Sequence, residues 1–123
     1  MKIYYGKAVY GKEEVQASID VLKTKSLSLI DGPSVKKLEN LIAKTFGKKF
    51  GLMVNSGSSA NLLALASLKL KQGSEIITPT LTFSTTVAPI YQLGFIPHFV
   101  DVGINNFVVK IDQIEKAINK KTK

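Results

Sequence analysis

The residues best suited to chemistry form a glycine–serine loop, Ser56-Gly57-Ser58-Ser59, between a short apolar run and a stretch rich in leucine and alanine. If the run is a strand and the stretch is a helix, free backbone N–H groups, hydroxyls and the positive end of the helix dipole converge at this loop. Such an arrangement binds a phosphate group. The alternative is that Ser58 or Ser59 only caps the helix, because serine is a preferred N-cap residue.

Other standard sites for nucleotides or metals are missing from the sequence. It has neither the Gly-x-x-x-x-Gly-Lys-Ser/Thr of a P-loop nor the Gly-x-Gly-x-x-Gly of a dinucleotide fold. With no cysteine and a single histidine, His98, the chain has no disulfide and little to ligate a transition metal, so no metal site is expected. His98 follows apolar residues in a predicted strand, which favours a packing role over that of a base.

The net charge of +8 arises from 17 basic and 9 acidic residues, and part of the excess is terminal. A solvated helix end explains this cluster better than a nucleic-acid patch, because no aromatic residues alternate with the lysines as a base-stacking surface requires. The terminal lysines are Lys116, Lys120, Lys121 and Lys123. No apolar run approaches the ~18 residues of a membrane span, and the first residues lack a signal-peptide core. A soluble, cytoplasmic chain is expected.

Apolar spacing predicts helices that alternate with short apolar strands, which is typical of an α/β fold with a mostly parallel sheet and flanking helices. Pro89 falls inside the fourth helix and makes it less regular. The predicted helices cover residues 12–25, 34–46, 62–68, 85–93 and 112–120, and the predicted strands cover residues 50–54, 75–78 and 96–102. No strand is predicted after the last helix, so we expect the chain either to be part of a longer protein or to have its remaining half on another polypeptide.

Four ordered blocks together resemble the DegT/DnrJ/EryC1/StrS family of sugar aminotransferases, which depend on pyridoxal 5'-phosphate (PLP). The blocks are residues 31–39 (DGPSVKKLE), 55–61 (NSGSSAN), 73–86 (GSEIITPTLTFSTT) and 94–102 (GFIPHFVDV). The resemblance covers essentially the whole chain and implies the N-terminal part of the large PLP-binding domain of a fold type I enzyme. It divides the chain into an N-terminal segment with one helix, residues 1–33, and a partial PLP-binding domain, residues 34–123.

By this resemblance, Gly57, Ser58 and Ser59 bind the cofactor phosphate, and Phe83 stacks on the pyridine ring. Thr85 and Thr86 lie near the substrate, or serve only as hydroxyls that start a helix. Asp101 is assigned a structural role, because the family's aspartate that pairs with the pyridinium nitrogen belongs to a later strand.

The resemblance places no catalytic residue in this chain. The Schiff-base lysine, or the histidine that replaces it in one branch, is expected beyond Lys123. None of the lysines near the second helix matches the family's lysine motif: Lys36, Lys37, Lys48 and Lys49. The chain by itself is therefore expected to be inactive.

The implied activity of the whole protein is transfer of an amino group, with glutamate as donor, to a keto nucleotide-sugar in the biosynthesis of lipopolysaccharide, other cell-surface polysaccharides or deoxyaminosugars. The resemblance also implies a homodimer. A branch of the same family instead performs 3-dehydration of a 4-keto-6-deoxy sugar, and residues 56–63 and 85–90 resemble that branch as well. Two alternatives from other classes stay open: a non-catalytic phosphate-binding α/β module and a basic nucleic-acid-binding fragment.

Overall fold

Five helices and one pair of strands occupy the part of the chain that the computed structural model describes, residues 2–24, 27 and 29–123. The helices are α1 (Lys12–Thr24), α2 (Pro33–Thr45), α3 (Gly57–Ser67), α4 (Ser84–Gln92) and α5 (Ile111–Ala117), and the strands are β1 (Glu75–Pro79) and β2 (Ile96–Val100). None of these helices has the length and apolarity that crossing a membrane requires. The chain divides into two units, one ending at Met53 and one covering Val54–Lys123. The predicted domain boundary after residue 33 stays a prediction.

The first unit contains the two predicted N-terminal helices. Pro33 occupies the first turn of α2, where its missing N–H costs nothing, and Gly47 follows the helix with a φ of +61°. Glu39 and Ala43 are the buried residues of α2. Both helices are confirmed, although the predicted last residue of α1, Lys25, and part of the following loop lie outside the described residues.

The predicted strand at residues 50–54 is wrong. In the described part of the chain this segment pairs with no strand, and the side chains of Phe50 and Leu52 are 78% and 76% exposed. The backbone instead meets α2: the Met53 N–H donates to Glu39 Oε1 at 2.8 Å. Gly51 lies against the carbonyl of Glu39. This segment is therefore held by a helix side chain rather than by a β-ladder.

The second unit is built around two parallel strands joined through α4. The register runs from Glu75 opposite Ile96 to Pro79 opposite Val100, which confirms the predicted parallel pairing. Gly94, with a φ of +74°, turns the chain from α4 into β2. The apolar core of this unit, within the described residues, consists of Ile90, Phe95, Val100 and Ala117. The α/β class is confirmed.

The C-terminal end differs from the prediction in two ways. Helix α5 ends at Ala117 rather than Lys120, and β2 ends at Val100 rather than Val102. Helix α5 ends early because Asn119 forms local hydrogen bonds. Its Oδ1 accepts from the Lys121 N–H at 2.8 Å, and its N–H donates to Thr122 Oγ1 at 2.9 Å. These bonds turn the chain out of the helix.

After this turn the chain reaches the edge of β1 that faces away from β2. Thr122 forms a parallel bridge with Glu75. The Glu75 N–H donates to the Lys121 carbonyl at 2.9 Å, and the Lys123 N–H donates to the Glu75 carbonyl at 3.1 Å. This contact is an isolated bridge, and within the described residues no strand follows α5, as predicted.

Candidate cofactor-phosphate site

The glycine–serine loop forms the start of α3, and its N-cap is Ser56. Ser56 has extended backbone angles, φ −162° and ψ 159°, and its Oγ accepts from the Ser59 N–H at 3.1 Å. The expectation that Ser58 or Ser59 would be the cap is wrong, because the helix begins at Gly57 and both residues lie inside its first turn. Their hydroxyls are consequently not needed for capping.

The first turn of α3 presents a set of donors that suits an anion. Among the hydrogen bonds of the described residues, the N–H groups of Gly57 and Ser58 have no protein acceptor, whereas the Ala60 N–H donates to the Ser56 carbonyl at 3.0 Å. A Cβ built on Gly57 would meet no atom within 4 Å, so a ligand can approach this backbone. Two N–H groups, the hydroxyls of Ser58 and Ser59 and the helix dipole together fit a phosphate.

Phe83 stands at the N-cap position of α4, a short loop after the carboxyl end of β1. Its side chain is 70% exposed, so it is not a core aromatic on an apolar helix face. In parallel sheets, ligands bind beyond the carboxyl ends of the strands. An exposed ring at this place can lie against a flat heteroaromatic group.

A side-chain hydrogen bond shows that the starts of α3 and α4 are close. Asn61, one turn after Gly57, donates from Nδ2 to the carbonyl of Thr85 at 3.4 Å. Thr85 follows Phe83 by two residues. The structure therefore brings the predicted phosphate loop and the predicted ring-stacking residue to neighbouring helix starts within one unit.

The two threonines predicted near the substrate differ in their surroundings. Thr82 Oγ1 donates to Thr86 Oγ1 at 3.1 Å, and the Thr86 N–H donates to the Phe83 carbonyl at 2.9 Å. The backbone amide of Thr86 thus closes the first turn of α4, whereas no side chain caps this helix. Thr85 is half-buried. Contact of either residue with a substrate stays a prediction.

Asp101 connects the ends of the two strands. Its Oδ1 accepts from the Val102 N–H at 2.8 Å and from Thr80 Oγ1 at 2.9 Å. The Val102 amide first, and the Thr80 hydroxyl second, hold the pKa of this carboxyl below its ordinary value. Both bonds favour the charged form and fix the loop after β2, as a structural role requires.

His98 does not have the apolar surroundings that the sequence suggested. Its Nδ1 lies 3.5 Å from Glu75 Oε2, and its side chain is 39% exposed. The same carboxylate oxygen accepts from Asn119 Nδ2 at 2.6 Å. The Asn119 amide, followed by the His98 ring, lowers the pKa of Glu75. This polar cluster anchors the C-terminal turn to β1.

Sequence reasoning named Ser56 in the loop without assigning it the cap, and it gave Asn61 no role. Both sit in a row of small polar residues that includes Asn55, Ser58 and Ser59. The useful signal for Asn61 was Pro89, because a proline inside a helix frees a carbonyl that some other donor then satisfies.

Comparison with known proteins gives consistent matches. The DegT/DnrJ/EryC1/StrS aminotransferase family model matches residues 9–123. The GDP-4-keto-6-deoxy-D-mannose 3-dehydratase of Escherichia coli O55:H7 is 41% identical over 116 residues, which cover 89% of this chain and 29% of the relative. A solved E. coli GDP-4-keto-6-deoxy-D-mannose-3-dehydratase with bound hydrated PLP has a TM-score of 0.85 and 39% identity, over 95% of this chain and 31% of its own.

The chain is also similar, at lower sequence identity, to a solved structure that is named as a sugar aminotransferase rather than a dehydratase. The PLP form of Spr1654 from Streptococcus pneumoniae, assigned as a sugar aminotransferase, has a TM-score of 0.86 and 27% identity, over 100% of this chain and 31% of its own. This chain spans about three tenths of the length of these relatives. Its elements form part of a fold type I PLP enzyme. Because the family model matches nearly the whole sequence, the chain belongs to the DegT/DnrJ/EryC1/StrS aminotransferase family.

Proposed function

We propose that this chain holds the phosphate group of PLP in an enzyme that acts on a keto nucleotide-sugar. The observation that carries the proposal is the start of α3, where Ser56 provides the cap and, within the described residues, the N–H groups of Gly57 and Ser58 have no protein acceptor. PLP supplies an electrophilic aldehyde and a ring that accepts electrons. The residues of this chain bind and orient that group.

Each predicted residue has a distinct part in this proposal. Gly57, Ser58 and Ser59 bind the phosphate, and Phe83 stacks on the pyridine ring and keeps water from one of its faces. Thr85 and Thr86 face the substrate. No acidic residue occurs between Val54 and Ser67, so no carboxylate of the loop or of α3 repels the phosphate.

The size of the effect follows from the strength of hydrogen bonds to a charged group. Such a bond is worth about 1.5–3 kcal/mol, so loss of one hydroxyl reduces affinity by at least about 10-fold. The dipole of α3 adds about 0.3–1 kcal/mol. Loss of both hydroxyls therefore weakens phosphate-dependent binding by about 100-fold.

Pyridoxamine 5'-phosphate is the appropriate probe, because it is fluorescent and binds without a covalent bond to a lysine. Its fluorescence anisotropy with the 123-residue chain should show saturable binding, while pyridoxamine, which lacks the phosphate, should bind much more weakly. The variant Ser58→Ala/Ser59→Ala should lose most of this difference. Ser67→Ala, at the far end of α3, is the matched control. Equal binding of pyridoxamine and its phosphate by the unaltered chain would overturn the proposal.

For the whole protein, we place transfer of an amino group from glutamate to a keto nucleotide-sugar first, as the general role of the family, with the active site shared in a homodimer. A 3-dehydratase of a 4-keto-6-deoxy sugar is the second candidate. It is favoured by the higher identity to a relative named as a 3-dehydratase, 41%, than to the aminotransferase structure, 27%.

A pair of chimeras distinguishes these two reactions. In one, residues 9–123 replace the matching segment of the E. coli 3-dehydratase, and in the other they replace that of Spr1654. Mass spectrometry of the sugar product reads the loss of the 3-hydroxyl or the gain of an amino group. If the chain comes from a dehydratase, only the first chimera should retain activity. Retention by the Spr1654 chimera alone would favour the aminotransferase.

A further inference from the structure

Pro89 leaves an unusual gap in the hydrogen bonding of α4. It lies inside the helix and is buried. In a regular α-helix, the carbonyl of Thr85 would accept from the N–H of residue 89, four positions later. Proline has no N–H, so this bond does not form. The Thr85 carbonyl is thereby open to a donor from outside α4.

Asn61 supplies that donor from the neighbouring helix. Its Nδ2 lies 3.4 Å from the Thr85 oxygen, slightly beyond the usual range for such bonds, which ends at about 3.2 Å. Among the described residues, this is the only side-chain hydrogen bond that joins α3 to α4. Asn61 and Thr86 both line an open, largely apolar groove of about 420 Å³ between α3, β1 and α4. The polar link therefore crosses an otherwise apolar contact.

The hydrogen bond between Asn61 and Thr85 lies close to the candidate cofactor-phosphate site on both helices. Asn61 is four residues after Gly57, on the same face of α3. The carbonyl that it binds belongs to the first turn of α4, two residues after Phe83. A shift between the two helices would change the distance between the phosphate loop and the aromatic ring, and the Asn61 bond opposes such a shift.

We propose that Asn61 is a positioning residue: by binding the Thr85 carbonyl that Pro89 leaves free, it sets the distance between the phosphate-binding start of α3 and Phe83. This inference rests on the proposed function. Asparagine suits the task because its amide donates at every pH, and its short side chain loses little freedom in the bond. Leucine at the same position has a similar volume and no donor.

The test separates positioning from folding by using two ligands. Inorganic phosphate needs only the start of α3, whereas pyridoxamine 5'-phosphate spans the loop and Phe83. Asn61→Leu should weaken binding of pyridoxamine 5'-phosphate about 3- to 10-fold, the value of one neutral hydrogen bond, and leave the affinity for inorganic phosphate unchanged. Asn105→Leu, in the exposed loop after β2, is the matched control. Equal loss of both ligands, or loss of neither, would overturn the positioning role.

A second substitution, Pro89→Ala, tests whether Asn61 positions the two helices or only provides a hydrogen-bond donor for the Thr85 carbonyl. In Pro89→Ala the restored N–H can bind the Thr85 oxygen within α4, so adding Asn61→Leu should cost no thermal stability. Binding of pyridoxamine 5'-phosphate by this double variant should nevertheless stay weak, because the link between the helices is missing. Full recovery of binding would show that Asn61 only satisfies the carbonyl. If the unaltered chain shows no phosphate-dependent binding at all, the proposed function fails together with this inference, a result distinct from failure of the inference alone.

Discussion

Gly51 lies so close to the backbone of α2 that any side chain at this position would collide with it. A Cβ would stand 2.5 Å from the Glu39 carbonyl oxygen, 3.2 Å from its carbon and 3.3 Å from its Cα. These are main-chain atoms of a helix, which cannot rotate away as a flexible side chain would. We predict that Gly51→Ala destabilises the contact between this segment and α2 by about 1–3 kcal/mol, the usual cost of overpacking.

The amide of Met53 reports this loss directly, because its N–H donates to the Glu39 carboxylate at 2.8 Å. A cost of about 1 kcal/mol already raises the population of the open form about 5-fold. Hydrogen exchange of this amide, followed by NMR, should therefore be at least about 5-fold faster in Gly51→Ala. Gly6→Ala is the control from the same unit, since a Cβ there meets no atom within 4 Å. Equal exchange of Met53 in both variants would refute the steric argument.

Three further predictions concern single side chains. Ser56→Ala removes the cap of α3 and should cost about 1 kcal/mol of helix stability, seen as faster exchange of the Ser59 amide; an unchanged rate would exclude the capping role. Thr78 is 3% exposed and its Oγ1 has no hydrogen-bond partner among the residues that the structure describes, so Thr78→Val should stabilise the second unit by about 1 kcal/mol, and a lower melting temperature would contradict this. The Met53 amide, and next Lys36, lower the pKa of Glu39. Its stabilising contribution is therefore complete above the ordinary glutamate pKa of about 4.3 and is lost as the pH falls through the lower folded value. Exchange of the Met53 amide, corrected for its intrinsic rate, should accelerate over that acidic range, and Glu39→Gln should remove this pH dependence.

Elements with local start and stop signals were predictable from the sequence. Pro33 and Gly47 bracket α2, and Gly94 lies between α4 and β2. These signals work because proline fixes φ and glycine adopts a positive φ without strain, whatever surrounds them. The parallel pairing of β1 and β2 followed in turn from the helix between them.

The segment at residues 50–54 was not predictable in the same way. Its apolar run is typical of a buried strand, but a strand also needs a neighbour, and periodicity says nothing about neighbours. The group that holds this segment is the Glu39 carboxylate, which is distant in sequence and accepts a hydrogen bond from the Met53 N–H. Glu39 is only 8% exposed in the folded chain, and no local pattern in the sequence indicates that burial.

The predicted glycine–serine loop does lie at the start of a helix, while the binding roles of its residues stay predictions and its cap was harder to assign. Ser56, Ser58 and Ser59 have similar preferences for the cap, and only the backbone angles of Ser56 decide among them. The bond between Asn61 and Thr85 joins residues that are 24 positions apart. Pairings of that kind arise from the packing of α3 on α4 and lie beyond any local pattern.

The bridge between Glu75 and Thr122 also has a consequence for handling the protein. Glu75 uses both its N–H and its carbonyl toward residues 121–123, and alternate residues of a strand face the same edge, so the backbone of Ile77 points to that edge just beyond the bridge. Free N–H and carbonyl groups on a strand edge are a template for strand addition between molecules. Self-association of the purified chain should therefore begin at Ile77, and methylation of its backbone nitrogen in a semisynthetic chain should improve solubility at high concentration.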